Sequence, residues 1–82
     1  MKPNIIYEPR YRAIIARLVK ARKDVGFTQD ELAEKLGINQ PELSRIETCQ
    51  RQIDLIELLD WIRATEAEEL KCVSRALEGT DA

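Results

Sequence analysis

The residues from Thr28 to Glu47 constrain the fold of this 82-residue chain more than any other stretch. Apolar residues recur there at the three- and four-residue spacing of two short amphipathic helices. They are Leu32, Leu36, Ile38, Leu43 and Ile46. Gly37 lies where the first helix ends, a position that often needs the left-handed conformation that glycine adopts without steric cost. Ala33 supplies the small side chain that a close helix crossing requires. The stretch therefore predicts two helices that meet steeply across a tight turn.

Helix starts are clearly marked, because a cap residue is followed three positions later by glutamate at four places. The pairs are Thr28 with Glu31, Asn39 with Glu42, Asp54 with Glu57, and Thr65 with Glu68. In a capping box the first side chain accepts a hydrogen bond from a first-turn amide, and the glutamate accepts one from the cap amide. Pro9 suits a first helical position, while Gly26 and Gly79 suit helix ends. These signals predict five helices, over residues 9–25, 29–36, 40–48, 55–64 and 66–78.

The apolar positions of these helices predict an all-α fold, a compact five-helix bundle around one core. The core is expected to contain Ile14, Ile15, Leu18, Val25, Leu32, Ala33, Leu36, Ile38, Leu43, Ile46, Leu55, Leu58, Leu59 and Ile62. Ile56 and Trp61 make helix four apolar on more than one face. These two residues therefore need a further contact, with the N-terminal segment, helix five or a second subunit. Residues 4–7 lie between Pro3 and Pro9 and are predicted to be extended.

Composition excludes several functional classes. With 44% apolar and 34% charged residues, the chain suits one small folded domain. It has no histidine, and Cys49 and Cys72 are far apart in sequence, so we expect no metal site and two reduced thiols. No glycine-rich phosphate loop and no nucleophile near a base are apparent, so neither an enzyme nor a cofactor is expected. Without a signal peptide or a membrane-spanning apolar run, we expect a cytoplasmic protein with no membrane contact.

The distribution of charge is more informative than its total. The net charge of −2 taken alone argues against nucleic acid binding. However, residues 1–52 contain ten basic and seven acidic residues, whereas residues 53–82 contain three basic and eight acidic residues. This split fits one face directed toward phosphate and another toward protein or water. The alternative is that both are ordinary solvated surfaces.

Two short helices joined by a glycine turn form a helix-turn-helix, which usually presents its second helix to the DNA major groove. Residues 15–62 resemble the phage repressor and Cro type (XRE-like) of helix-turn-helix transcriptional regulator, with its lambda repressor-like DNA-binding domain. The resemblance is carried by LVKARKDVGFTQDELAEKLGINQPELSRIE and IDLIELL. It implies a nucleoid-associated repressor that binds double-stranded operator DNA, an inverted repeat, as a homodimer. It also implies an ion pair between Arg22 and Glu47; the alternative is two separate surface charges.

The same resemblance places the first turn and one face of helix three against base edges. The residues at these positions are Gln40, Pro41, Ser44 and Arg45. Gln40 can present an amide to adenine, and Arg45 can fork onto guanine O6 and N7, each good bidentate contact giving about 1–3 kcal/mol of discrimination. The alternatives are plain surface polarity for Gln40 and Ser44, and an ion pair with Glu42 for Arg45.

Phosphate contacts are expected beside this helix. The candidates are Gln29 with its backbone amide, Asn39, Arg51 and Gln52. Two residues depart from the family pattern. Glu42 puts a carboxylate on the helix that faces an anionic groove; it can cap against Asn39 or accept from cytosine N4. Cys49 stands where glycine is common after helix three, which costs energy if its φ is positive.

We divide the chain into an N-terminal extension (residues 1–8), a helix-turn-helix domain (9–64) and a C-terminal helix (65–82) that is a candidate dimerisation element. The last helix has a narrow apolar stripe of Ala67, Leu70, Val73 and Leu77. With help from Ile56 or Trp61, this stripe predicts a two-fold dimer. The same stripe could instead pack on the core of its own chain.

A second functional class competes with the DNA-binding regulator. Pro41, Glu42 and the negative net charge also suit a protein-interaction module that keeps the fold with weak or no DNA binding. An antitoxin, whose acidic tail grips a toxin while the basic part represses its own promoter, is a related alternative.

Overall fold

The computed structural model describes residues 4–66 and residue 75. A short 3-10 turn, Ile5–Tyr7, precedes four α-helices: α1 Pro9–Val25, α2 Gln29–Leu36, α3 Gln40–Glu47 and α4 Leu55–Thr65. The first four predicted helices are therefore confirmed, each boundary falling within one residue of its expected place. The fifth predicted helix lies outside the described residues, apart from Glu66 and Arg75.

Two of the predicted capping boxes are complete, and these fix the starts of α2 and α4. Thr28 Oγ1 accepts from the Glu31 amide at 3.1 Å, and the Glu31 carboxylate accepts from the Thr28 amide at 2.9 Å. Asp54 Oδ1 accepts from the Glu57 amide at 2.7 Å, and the Glu57 carboxylate returns the bond at 3.0 Å. Thr65, predicted to cap a further helix, is instead the last residue of α4. Each complete box satisfies the cap amide and the third-position amide of its helix, and it uses neither of the two amides between them.

The third box, at the start of α3, is only half formed. Asn39 Oδ1 accepts from the Glu42 amide at 2.9 Å. In contrast to the N3 glutamates of α2 and α4, Glu42 makes no return bond to its cap amide. The capping role predicted for its carboxylate is therefore wrong, and the carboxylate lies elsewhere.

The N-terminal segment corrects a further prediction. Residues 4–7 are not extended, because Asn4 Oδ1 accepts from the Ile6 amide at 3.1 Å and starts a 3-10 turn. Ile6 is buried under this turn, and its carbonyl accepts from Arg12 Nε at 2.8 Å. Proline restricts only the residue before it, so Pro9 keeps Glu8 extended and has no effect on residues 5–7.

The core lies between α1, the α2–α3 unit and α4. Leu18, Leu32, Leu43 and Ile46 have no exposed surface. Trp61 is also fully buried, and its indole N–H donates to the Leu18 carbonyl at 2.9 Å. The predicted role of Trp61 at a dimer interface is therefore wrong, since the ring fills this chain's own core and its polar atom is satisfied there.

Three residues that were assigned to the core from the sequence lie at the surface. Ile14, Val25 and Leu55 are 41%, 48% and 67% exposed. Ile14 is one position from the buried Ile15, about 100° around the helix, which places it at the edge of the face that α1 buries through Ile15 and Leu18. Val25 and Leu55 are the last residue of α1 and the first of α4, where the helices leave the core.

Gly37 sets the turn between α2 and α3. Its φ is 74°, and the next amide, that of Ile38, donates back to the Ala33 carbonyl at 3.0 Å. This arrangement ends α2 with satisfied carbonyls and lets α3 begin after only three residues. Ala33, with 2% of its surface exposed, is the small side chain in the α2 part of the core. The turn thus positions α3 on the surface of the bundle.

Candidate nucleic-acid interface

One side of helix α3 packs against the other helices, and its opposite side is exposed to solvent. Leu43 and Ile46 are completely buried and form the inner stripe. Pro41 and Arg45 are exposed, and Gln40 and Ser44 are half-buried. Because helical residues three and four apart share a face, Pro41, Ser44 and Arg45 lie on the side opposite the inner stripe. The residues predicted to contact bases therefore occupy one accessible surface, which we call the α3 outer face.

A chain of hydrogen bonds joins the starts of α2 and α3 to the end of α1. Arg22 donates to both Glu47 carboxylate oxygens, from Nε at 2.6 Å and from Nη2 at 3.1 Å. Gln29 Nε2 donates to Glu47 Oε1 at 2.9 Å, and Gln40 Nε2 donates to Gln29 Oε1 at 2.7 Å. The side chains of Arg22 and Glu47 are only 9% and 6% exposed. The resulting charge-assisted network fixes Gln40 at the first position of α3.

Sequence reasoning anticipated only part of this network. The Arg22–Glu47 contact came from the family resemblance, whereas the Gln29–Gln40 bond was missed. The available signal was that both glutamines directly follow a cap residue, Thr28 or Asn39, at the start of the two helices. The bond uses the side chain of Gln29, so its backbone amide at the N-terminus of α2 is the group that remains suited to phosphate.

Arg45 has the most accessible charge on the α3 outer face. Within the part of the chain that the structure describes, its guanidinium makes no hydrogen bond or ion pair. The alternative partner, Glu42, is instead directed toward Arg51, with 3.7 Å between Glu42 Oε2 and Arg51 Nη2. The planar fork of Arg45 is therefore available for bidentate contact with a ligand.

Arg51, predicted to contact phosphate, is held by carboxylates of its own chain. Its Nη1 and Nη2 each donate to one oxygen of Glu57 at 2.9 Å. The Glu57 side chain is 8% exposed and that of Arg51 is 32% exposed. Hydrogen bonds from Arg51 hold the pKa of Glu57 below its usual range, and the same bonds raise the pKa of Arg51. Arg51 is thus bound to a buried carboxylate, while part of its side chain stays exposed to solvent.

The loop between α3 and α4 is fixed by local bonds. Cys49 adopts a φ of 58°, and its amide donates to the Ile46 carbonyl at 3.1 Å. The Gln50 amide donates to the Arg45 carbonyl at 2.8 Å, which completes a Schellman-type helix end. Further along, the Ile53 amide donates to the Tyr11 hydroxyl at 3.1 Å. Cys49 therefore has the positive φ that was expected to cost energy, and the hydrogen bonds of the loop hold it in this conformation.

The other predicted phosphate contacts lie at the edges of the α3 outer face. Asn39 and Gln52 are exposed, before and after the helix respectively. Asn39 Oδ1 already caps α3 through the Glu42 amide, so its side-chain amide hydrogens are the groups left for a ligand. The N-termini of α2 and α3 lie at the same end of the interface, because Gln29 and Gln40 are in direct contact.

A sequence model described as "Helix-turn-helix", HTH_3, matches residues 18–71 of the chain, about two thirds of its length. The protein belongs to the HTH_3 family. This is the XRE/Cro/C1 type of helix-turn-helix, so the resemblance inferred from the sequence is confirmed. HTH_3 proteins are DNA-binding and non-enzymatic, and the matched residues include all of α2, α3 and α4. Among curated proteins, none matches this chain.

The described residues include no cluster of three or more cysteine or acidic side chains arranged to hold a metal ion. No helix within residues 4–66 has the length and apolar character needed to cross a bilayer. DNA is the ligand that the HTH_3 family indicates.

Proposed function

We propose that this HTH_3 protein is a sequence-specific transcriptional regulator, acting as a repressor, whose α3 enters the major groove of an operator. The observation that carries this proposal is the exposed Arg45 on the α3 outer face, whose guanidinium makes no hydrogen bond or ion pair with any residue that the structure describes. That face is held in place by the network from Arg22 through Glu47 and Gln29 to Gln40. A rigid helix with a free arginine fork suits base readout, because bidentate contacts require fixed geometry.

Each exposed group is assigned a role by its position. Arg45 pairs with guanine, and Gln40 uses its remaining amide groups on adenine. Pro41 and Ser44 contact neighbouring bases by apolar contact and by a hydroxyl. The backbone amide of Gln29 and the side chains of Asn39, Arg51 and Gln52 approach phosphates on both sides of α3.

Exposed apolar residues support self-association on DNA. Leu55 and Ile56, adjacent at the start of α4, are 67% and 65% exposed. One module with eight residues in α3 offers few contacts, and a two-fold dimer on an inverted repeat doubles them. We place the dimer contact at Ile56 and on the 65–82 segment, with Leu70, Val73 and Leu77 as its apolar residues. A monomer in sedimentation at high micromolar concentration would contradict this part of the proposal.

An antitoxin or other protein-interaction module is the second candidate, since the same exposed Leu55 and Ile56 could receive a different protein. The two candidates differ in their response to salt. Titration of the protein onto a labelled mixed-sequence duplex should show affinity falling steeply as salt rises from about 50 to 200 mM. Binding that is absent, or insensitive to salt, would contradict the DNA-binding proposal and favour the protein-interaction module.

A further inference from the structure

Helix capping does not explain the direction of the Glu42 carboxylate. It occupies the third position of α3, where Glu31 of α2 and Glu57 of α4 each return a bond to their cap amide. Glu42 makes no such bond, and its carboxylate is directed at Arg51 instead. The Glu42 side chain is 36% exposed, so its charge is felt at the surface where phosphate is expected.

The contact between Glu42 and Arg51 is an ion pair but not a hydrogen bond. The distance between Glu42 Oε2 and Arg51 Nη2 is 3.7 Å, whereas both bonds from Arg51 to Glu57 are 2.9 Å. The two carboxylates therefore hold Arg51 unequally. Glu57 is buried and bidentate, and it fixes the guanidinium. Glu42 is half-exposed and lies 3.7 Å from Nη2, the same nitrogen that donates to Glu57 Oε2. A phosphate that approaches Arg51 must compete with Glu42.

We propose that Glu42 lowers the affinity of this protein for DNA of any sequence by competing with phosphate for Arg51. The inference rests on the proposed DNA-binding function. Phosphate contacts supply nearly all of non-specific affinity, whereas base contacts supply discrimination. A carboxylate that weakens one phosphate contact therefore lowers binding to every sequence by a similar factor. The carboxylate on α3 then sets the overall affinity for DNA, and the base contacts of the same helix set the sequence preference.

The decisive variant is Glu42→Gln, because it removes only the charge. The cap of α3 uses the backbone amide of residue 42, so the substitution leaves it in place. We expect the variant to bind a mixed-sequence duplex about threefold to fivefold more tightly than the unaltered protein, the factor that one unit charge at contact distance gives in water. The slope of log affinity against log salt should steepen by up to about 0.9, which corresponds to one additional phosphate neutralised.

The matched control is Glu34→Gln, the same charge change at an exposed position of α2. It should leave affinity and salt slope nearly unchanged. To show that Glu42 acts through Arg51, the Glu42→Gln change is repeated in a background with Arg51→Gln and Glu57→Gln together. That background replaces the ion pair by two neutral amides and leaves no unpaired buried charge. There the Glu42→Gln effect should disappear.

The outcomes separate this inference from the function on which it rests. Tighter binding and a steeper slope for Glu42→Gln, lost in the neutral background, support the inference. Unchanged or weaker binding overturns it, and so does an effect of equal size in the neutral background, since Glu42 would then act without Arg51. Thermal unfolding of each variant verifies that folded proteins are compared. If the unaltered protein binds neither mixed-sequence nor selected duplex DNA, the proposed function fails as well.

Discussion

Two arginine–glutamate pairs in this molecule have the same chemistry and different surroundings. Arg22 and Glu47 join α1 to α3 with side chains that are 9% and 6% exposed. Arg51 and Glu57 join the loop after α3 to α4, and there the arginine is 32% exposed. The first pair is closed off beneath the α3 outer face, so it serves the geometry of the interface. The second keeps part of its guanidinium near solvent, where an anion can reach it. The degree of burial, more than the residue types, therefore decides whether a pair only stabilises the fold or can also contact a ligand.

The largest effect is expected when the closed pair is broken. Arg22→Ala leaves the Glu47 carboxylate buried without its cation and removes the bond to the Phe27 carbonyl. We expect unfolding free energy to fall by about 3–5 kcal/mol, measured by urea denaturation. The control is Asp24→Asn in the exposed Lys20–Asp24 pair, whose side chains are 74% and 62% exposed; it should cost less than about 0.5 kcal/mol. Similar losses for the two variants would remove the distinction between the pairs.

The second pair should give a smaller loss with a defined pH dependence. Glu57→Gln weakens two charge-assisted bonds to Arg51 and should cost about 1–3 kcal/mol at neutral pH. Hydrogen bonds from Arg51 keep the folded-state pKa of Glu57 below that of an unfolded glutamate, about 4.3. Its contribution is therefore fully present above pH 4.3 or so and is lost as pH falls through the lower folded value. Denaturation curves of both proteins across this range should converge in acid; a constant difference would contradict the pairing.

The loop beside the second pair offers a still smaller test of backbone strain. At Cys49, with φ at 58°, glycine should be more stable than alanine by about 1 kcal/mol, because only alanine carries the cost of a side chain in the left-handed region. Comparing Cys49→Gly with Cys49→Ala cancels the loss of the thiol packing. At Gly37, alanine should cost a similar amount, since φ is 74° and its added carbon meets no atom within 4 Å. Equal stability of the two Cys49 variants would show that the loop does not need this conformation.

Elements with strong local signals were predictable from the sequence. The four helices of residues 9–65 follow from cap residues and glycines whose effect is confined to one turn. The Arg22–Glu47 pair could be predicted only from the family resemblance. The Gln29–Gln40 bond could not be predicted from that resemblance, because it depends on how closely the starts of α2 and α3 approach across Gly37.

Other features depended on competition between neighbours. The sequence offered Glu42 a bond to its cap amide, an ion pair with Arg45 or a contact with cytosine. The structure instead directs it to Arg51, which depends on the path of a loop with no regular pattern. Trp61 was placed at an interface because helix four is apolar on several faces, whereas the carbonyl of Leu18 gives its indole a partner inside the core. Local patterns fix where helices begin and end, but not which of several nearby partners a long side chain meets.

We have proposed that the α3 outer face reads DNA sequence through Arg45. Selection from a pool of random duplex DNA, carried out with the unaltered protein and repeated with Arg45→Ala, tests it most directly. We predict that the unaltered protein enriches an inverted repeat with a guanine preference in each half-site. The variant should stay folded and lose that preference, at a cost of about 1–3 kcal/mol for each base contact removed. Enrichment of no sequence, or of the same guanine-containing repeat by both proteins, would contradict the claim.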